Sequence, residues 1–291
     1  MTTTEDTENT LTPESTILGP KILLLGDSGT GKTYSLRTLV DAGLEVFIVF
    51  TENGQEVLAD TDPDQVHWAY KPPAPPSFVE MAKMAKLVNT LSLKALSELT
   101  DTNRTKYGQF YEILTLLSDF RCERTQKSFG PIDDFGPGRV IVIDSLSGLS
   151  LAAMNLVVGG RPVRSQADWQ IAMNTLEYFL NKLCFLQCSA VVTSHVEREV
   201  DEVLGGTSIM ASTLGRKLAP KIPRFFSDVV NTQRNGNKFV WATDTSGMTL
   251  KSRNLPISGN LPPTFQSIFT SWTKRGGVLS ASLAPHIEET E

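Results

Sequence analysis

A chain of 291 residues that is 40% hydrophobic and 20% charged can close a full apolar core, which excludes a disordered, collagen-like or small stapled protein. Its 27 basic and 32 acidic residues give a net charge of −5. Seven of the acids lie in residues 1–16 and 276–291, which have no Lys or Arg, so residues 17–275 sum to +2 and the overall acidity excludes no polyanionic partner.

In chain order, residues 1–16 are Thr-rich with Glu5, Asp6, Glu8 and Glu14. That is the opposite of a signal or transit peptide, and a disordered acidic tail is predicted. Lys21 to Leu25 is a short apolar run that stops at a glycine-rich turn. Tyr34, Leu36, Leu39 and Val40 follow at near-helical spacing up to Gly43, so strand, loop and helix are predicted in succession. Val46 to Phe50, Val140 to Ile143 and Ala190 to Thr193 are further apolar runs. They are continuous and not alternating, as strands covered on both faces require.

Pro72, Pro73, Pro75 and Pro76 form a stiff connector into a helical insertion at about 77–127. There Phe78, Met81, Met84, Ala85 and Val88 share one face, followed by Phe110, Ile113, Leu114 and Leu117. A helix from about Gln166 to Leu186 points Trp169, Met173, Leu176 and Leu180 inward. After Asp228 the chain reads as short strands, Phe239 to Ala242 and Met248 to Leu250, around a turn at Asp244 to Gly247. Residues 276–291 form a second acidic tail.

Strands alternating with helices define an α/β fold with a mostly parallel sheet, here as one domain over 17–275. No apolar stretch approaches the roughly 18 residues of a membrane helix, so no membrane partner is expected. Three cysteines, Cys122, Cys184 and Cys188, suit a reducing compartment, and a cytoplasmic location is expected, the host's for a viral chain. Cys184 and Cys188 are read as small buried side chains on one helical face.

The segment Gly26-Asp27-Ser28-Gly29-Thr30-Gly31-Lys32-Thr33 fits the phosphate-binding pattern G-x-x-x-x-G-K-[ST], in the required strand-to-helix context. Such a loop offers backbone N–H groups and the positive end of a helix dipole to phosphate. Lys32 is expected to hold the β- and γ-phosphates, Thr33 to bind Mg²⁺, and Tyr34 to complete the nucleotide-binding set. Asp144 ends an apolar strand and is expected beside the metal. Glu52, directly after a strand, can orient the attacking water, with Glu56 as its nearby competitor.

Taken in order, GDSGTGKT, FTEN with Glu52, VIVIDS with Asp144, VVTSH with His195 and the Lys251-Ser-Arg253 step resemble the RecA-like ATPase core. Within it, the chain is similar to phage-type ATP-binding proteins of DNA recombination and single-strand annealing. The resemblance runs from about Lys21 to Pro256. It implies Mg-ATP as the bound nucleotide, Glu52 as the catalytic carboxylate and His195 as a γ-phosphate sensor. It also implies that Lys251 and Arg253 reach a neighbouring subunit's nucleotide, which makes the chain a homo-oligomer with sites at subunit interfaces. Two solvated edge-strand charges are the other reading of that pair.

The resemblance places a first DNA loop at Gly159 to Arg164, with Arg161 and Arg164, and a second at Val196 to Thr213. Arg216, Lys217, Lys221 and Arg224 form a basic run beyond. Glu197, Glu199, Asp201 and Glu202 make the start of the second loop acidic. Single-stranded DNA is the expected partner, with a single-strand-binding or other replication or recombination protein. The insertion after Glu52 and the short N-terminal segment depart from a filament-forming recombinase, leaving a ring or small oligomer open. A helicase or helicase loader, and a nucleotide-dependent protein-interaction ATPase that binds no DNA, are the rival readings.

Overall fold

Each continuous apolar run of the sequence becomes a buried strand in the structure, a computed structural model that describes residues 17–73, 76–99, 105–161, 163–200 and 205–279. Residues 1–16, most of the 276–291 segment, Pro75, Asp201 and Glu202, and the side chain of Arg216 lie outside the described residues.

Strand β1 (Lys21–Leu25) enters the glycine-rich loop, which opens two one-turn helices, α1 (Lys32–Ser35) and α2 (Thr38–Asp41). Strands β2 (Glu45–Phe50) and β3 (Val66–Tyr70) precede helices α3 (Phe78–Thr90), α4 (Leu93–Ser97) and α5 (Gln109–Ser118). Next come β4 (Arg139–Asp144), α6 (Leu146–Val158), α7 (Gln166–Phe185) and β5 (Ser189–Ser194). A hairpin of β6 (Val196–Val200) and β7 (Thr207–Ala211) leads through α8 (Gly215–Leu218) to β8 (Asp228–Asn235). The described chain closes with β9 (Lys238–Ala242), β10 (Lys251–Ser252) and α9 (Gln266–Thr273).

The main sheet has the order β10-β8-β1-β5-β4-β2-β3, with β9 on the remaining length of β8. Pairing is parallel from β8 through to β3, and β9 and β10 run antiparallel to β8. Alternate residues of one strand feed opposite cores. Leu23, Leu25, Phe47 and Val49 meet Phe110, Leu149, Leu176 and Leu180 from α5, α6 and α7 on one face. Ile22, Leu24, Val46 and Ile48 meet Leu39 of α2 and Ile268, Phe269 and Trp272 of α9 on the other. That double coverage is why the runs are continuous.

Several elements differ from the sequence reading. The helix after the loop is interrupted because its hydrogen bonds shift to i→i−3 at Leu36 and Arg37, which tightens one turn. The 77–127 insertion holds three helices but ends in a turn closed by the Arg121–Ser128 bridge. The face carrying Phe78, Met81 and Val88 is not core: α3 buries no side chain, and Phe78 is 88% exposed. Helix α7 stops at Phe185, so Cys188 lies beyond it and shares no helical face with Cys184. Both thiols are pushed up by burial, Cys188 to about 11. Met248 to Leu250 is not a strand. Met248 makes only an isolated bridge to Ile209, and the antiparallel pairing starts at Lys251. Strand β3 and helix α9 were not expected.

Phe47 sits at the centre of this packing, with the rings of Phe120, Phe129, Phe135 and His67 all within 5.2 Å. Phe47→Ala is expected to lower the unfolding free energy by about 3–5 kcal/mol. Urea denaturation reads this directly, and a loss below about 1 kcal/mol contradicts the packing.

Candidate functional site

The loop after β1 is shaped by what its glycines leave out. Gly31 has φ +86°, in the left-handed region, and its bare α-carbon faces the Phe239 ring. A Cβ on Gly26 would stand 2.2 Å from Oγ1 of Thr232 on β8. That close approach lets the Thr232 hydroxyl donate to Leu25 O at 3.0 Å and lie 2.7 Å from the Thr30 hydroxyl. The loop is thereby moored to β8. Lys32 is buried and donates to the carbonyls of Gly26 and Asp27, each at 2.8 Å. Burial lowers its pKa, against the pull of Asp144, Glu52 and Asp27. Asp27, Ser28 and Gly29 form the exposed tip.

Sheet order inserts β5 between β1 and β4, so a residue of β5 meets the acid of β4. Thr193 donates its hydroxyl to Asp144 Oδ1, while Thr33 donates to Oδ2 at 2.7 Å. Burial pushes the Asp144 carboxyl up, and these hydroxyls and Lys32 oppose the shift. On β2 the neighbouring register brings Thr51 beside Ser145. The Thr51 hydroxyl donates to Ser145 O at 2.9 Å and accepts from Ser145 N at 2.8 Å. This clasp fixes the backbone from which Glu52 projects.

Glu52 then meets His195, which follows β5, with Nε2 3.1 Å from Oε2. Hydrogen bonding from His195 holds the Glu52 carboxyl below the usual range, against a burial effect of opposite sign. The structure thus brings Lys32, Thr33, Asp144, Glu52 and His195 to one edge of the sheet. Glu56 is exposed in the turn beyond. Tyr34 presents a half-exposed ring 4.3 Å from the Arg37 guanidinium carbon and 6.4 Å from the ring of Phe239.

Other expected residues lie elsewhere. Lys251 pairs with Val229 and precedes Ser252 opposite Asp228, so Arg253 lies at the strand ends opposite the loop. The Lys251 ammonium donates to the carbonyls of Pro223 and Phe226 of its own chain, and burial lowers its pKa. Arg253 is exposed. Arg161 donates to Val158 O at 3.1 Å and to Asp168 at 2.7 Å, and Asp168 also completes the capping box of α7. Arg164 stands over Trp169, 5.8 Å from the ring centre. Lys221 and Arg224 share Glu177, and Lys217 is exposed. The expected second loop, Val196 to Thr213, is largely the β6–β7 hairpin.

Thr51, Thr193, Arg198, Thr232 and Phe239 were missed. Thr193 lies within the VVTSH segment, and only the strand order shows that it faces Asp144.

The donor set is chemically specific. A hydroxyl and a carboxylate 2.7 Å apart suit a hard cation that takes its remaining ligands from phosphate and water. Among the described residues no group of three or more His, Cys, Asp or Glu forms a separate metal cage. None of the described helices is long and apolar enough to cross a membrane.

A family model for the AAA domain matches residues 18–256, a span that contains every residue of this cluster. The chain belongs to the AAA domain family. It is a P-loop ATPase. No curated protein matches the chain. Among solved structures, a prototypical ATPase from the type III secretion system of pathogenic bacteria is similar at 12% identity and a TM-score of 0.40. The match covers 75% of this chain and 52% of that one, so this AAA domain spans about half its length.

In this AAA domain Glu52→Gln is expected to reduce kcat about 100- to 10,000-fold with little change in nucleotide affinity. His195 holds the Glu52 carboxyl low, so an acid limb of kcat/KM set by Glu52 is expected below the usual glutamate range. In His195→Gln that support is lost, the carboxyl titrates higher, and the acid limb moves to higher pH. A pH–rate profile unchanged by His195→Gln contradicts the pairing.

Proposed function

We propose that the chain hydrolyses ATP with Mg²⁺ and uses the cycle to act on single-stranded DNA, in phage-type recombination or single-strand annealing. The observation that carries this reading is the hydrogen bond that Glu52 accepts from His195. It ties the carboxylate of the nucleotide site to the residue from which the β6–β7 hairpin departs. The hairpin occupies the segment that the RecA-like resemblance assigns to the second DNA loop.

The division of labour follows from the chemistry of each group. The loop N–H groups and Lys32 bind the ATP phosphates. Thr33 and Asp144 hold Mg²⁺, which when bound supplies positive charge to the β- and γ-phosphates. Glu52 orients the attacking water and accepts its proton, and His195 positions Glu52. Arg253 of a neighbouring copy supplies charge to the site in trans, since Lys251 is committed to its own chain's carbonyls. Lys217 and Arg164, exposed at the surface, are the contacts for DNA phosphates.

A second reading has its own support. Helix α3 leaves Phe78, Val79, Met81 and Val88 exposed, a patch suited to a protein partner. In that reading the hydrolysis cycle controls a protein contact and DNA is not bound.

Steady-state ATP hydrolysis with and without single-stranded DNA separates the two. Stimulation of several-fold that fades between about 50 and 200 mM salt, and is absent in Lys32→Ala, is the expected result. Hydrolysis indifferent to DNA at every salt concentration overturns the DNA reading in favour of a protein partner. Unwinding of a tailed duplex replaces annealing with a helicase.

A further inference from the structure

The β6–β7 hairpin reaches the nucleotide loop through a charged contact of its own. Arg198, on β6, sets its guanidinium against Asp27, with Nη2 2.7 Å from Oδ2 and Nη1 3.1 Å from Oδ1. Asp27 is the first residue after Gly26, and its carbonyl accepts from Lys32 Nζ at 2.8 Å. An arginine is therefore carried to the mouth of the phosphate-binding loop and held there by the acid of that loop. The Arg198 guanidinium holds Asp27 below the usual carboxylate range, so both partners are charged near neutral pH.

The pair is well aligned but weakly held. The side chains are 52% and 53% exposed, and such pairs contribute about 0–1 kcal/mol. A nucleotide triphosphate brings more negative charge than one carboxylate and presents oxygens that fit the same planar fork. Other contacts of the hairpin are of another kind. Glu197 accepts from the Ser212 hydroxyl at 2.7 Å, and the Ile209 N–H donates to Gly247 O at 2.7 Å. Ile209 is the residue paired with Arg198 across the hairpin. A shift of Arg198 therefore moves one strand of a ladder whose other strand is pinned.

We propose that Arg198 is a phosphate ligand of this ATPase, exchanging Asp27 for the terminal phosphate of the bound nucleotide and so carrying nucleotide occupancy into the β6–β7 hairpin. The proposal rests on the loop being the ATP site. It predicts opposite signs for the two halves of one ion pair. Arg198→Ala removes a phosphate ligand, and Asp27→Asn removes its competitor. A pair with a structural role alone weakens nucleotide binding, or leaves it unchanged, whichever side is broken.

The test is a titration of Mg-ATP and Mg-ADP into the purified full chain and its Arg198→Ala, Arg198→Lys, Asp27→Asn and Lys32→Ala variants, with hydrogen exchange followed over β6 and β7. Arg198→Ala is expected to weaken ATP about tenfold and ADP much less, and Asp27→Asn to tighten ATP. Arg198→Lys is expected to fall with Arg198→Ala, because a point charge lacks the fork. ATP is expected to alter exchange in β6 and β7 of the wild type and not of Arg198→Ala. Losses of the same sign in Arg198→Ala and Asp27→Asn, full rescue by Lys, or an ATP-dependent exchange change that survives in Arg198→Ala each overturn the exchange. A wild type that binds ATP no better than Lys32→Ala overturns the ATP-site reading and this proposal with it.

Discussion

A carboxylate taken out of water must be met by donors, and the burial of Asp144 is the constraint from which the rest of the site follows. Its two oxygens are answered by Thr33, in α1 at the end of the phosphate-binding loop, and by Thr193, from β5. No single hairpin or helix supplies both. They converge because β5 lies between β1 and β4 and all three run parallel with fixed register. A one-residue slip of β5 would turn Thr193 away from Asp144 and leave a buried carboxylate short of a donor. The interior register of the sheet and the chemistry at its edge are therefore one requirement.

Around Lys32 the site sets three carboxylates at graded depth, each met by a residue of the one stretch that runs from the end of β5 into β6: Thr193, His195 and Arg198. Asp144 is 7% exposed and held by two hydroxyls, and Glu52 is 37% exposed and held by His195. Asp27 is about half exposed and held by Arg198. Removing a partner costs most where water cannot replace it, so rigidity falls from Asp144 outward. In the proposed reading the buried end fixes where a nucleotide and its metal sit. The exposed end is where a change of partner is energetically small, and it is also where the hairpin attaches.

The strands and the phosphate-binding loop were legible because both leave short-range marks: continuous apolar runs for β1, β2, β4 and β5, and glycines at fixed spacing for the loop. Strand β3 was not legible. Its run Val-His-Trp-Ala-Tyr interleaves polar and aromatic residues, and as the last strand of the sheet it carries no continuous pattern. In the site, Asp144 and Glu52 announced themselves as acids at strand ends. The pairings themselves were not legible, because His195 is 143 residues from Glu52 and Arg198 is 171 from Asp27. Nothing local in a sequence encodes a contact of that range. Arg161 shows the converse: nothing in its glycine-rich turn indicates that it bonds Asp168 of the α7 cap.

Helix α3 shows the same limit in another form. Periodicity near 3.6 correctly announced a helix, but it says only that one face is apolar and not that the chain supplies a cover for it. A helix of 13 residues is marginal in water without packing. What holds α3 among the described residues is local: the reciprocal Ser77–Glu80 capping box, and Lys106 paired with that same Glu80. Glu80 thus closes the helix start and ties it to the approach to α5. The sheet and its two cores, α5 among them, stand on long-range burial, whereas α3 stands on contacts near its own ends. It therefore belongs to the low-stability part of the molecule, able to open without disturbing the sheet edge where nucleotide chemistry is placed.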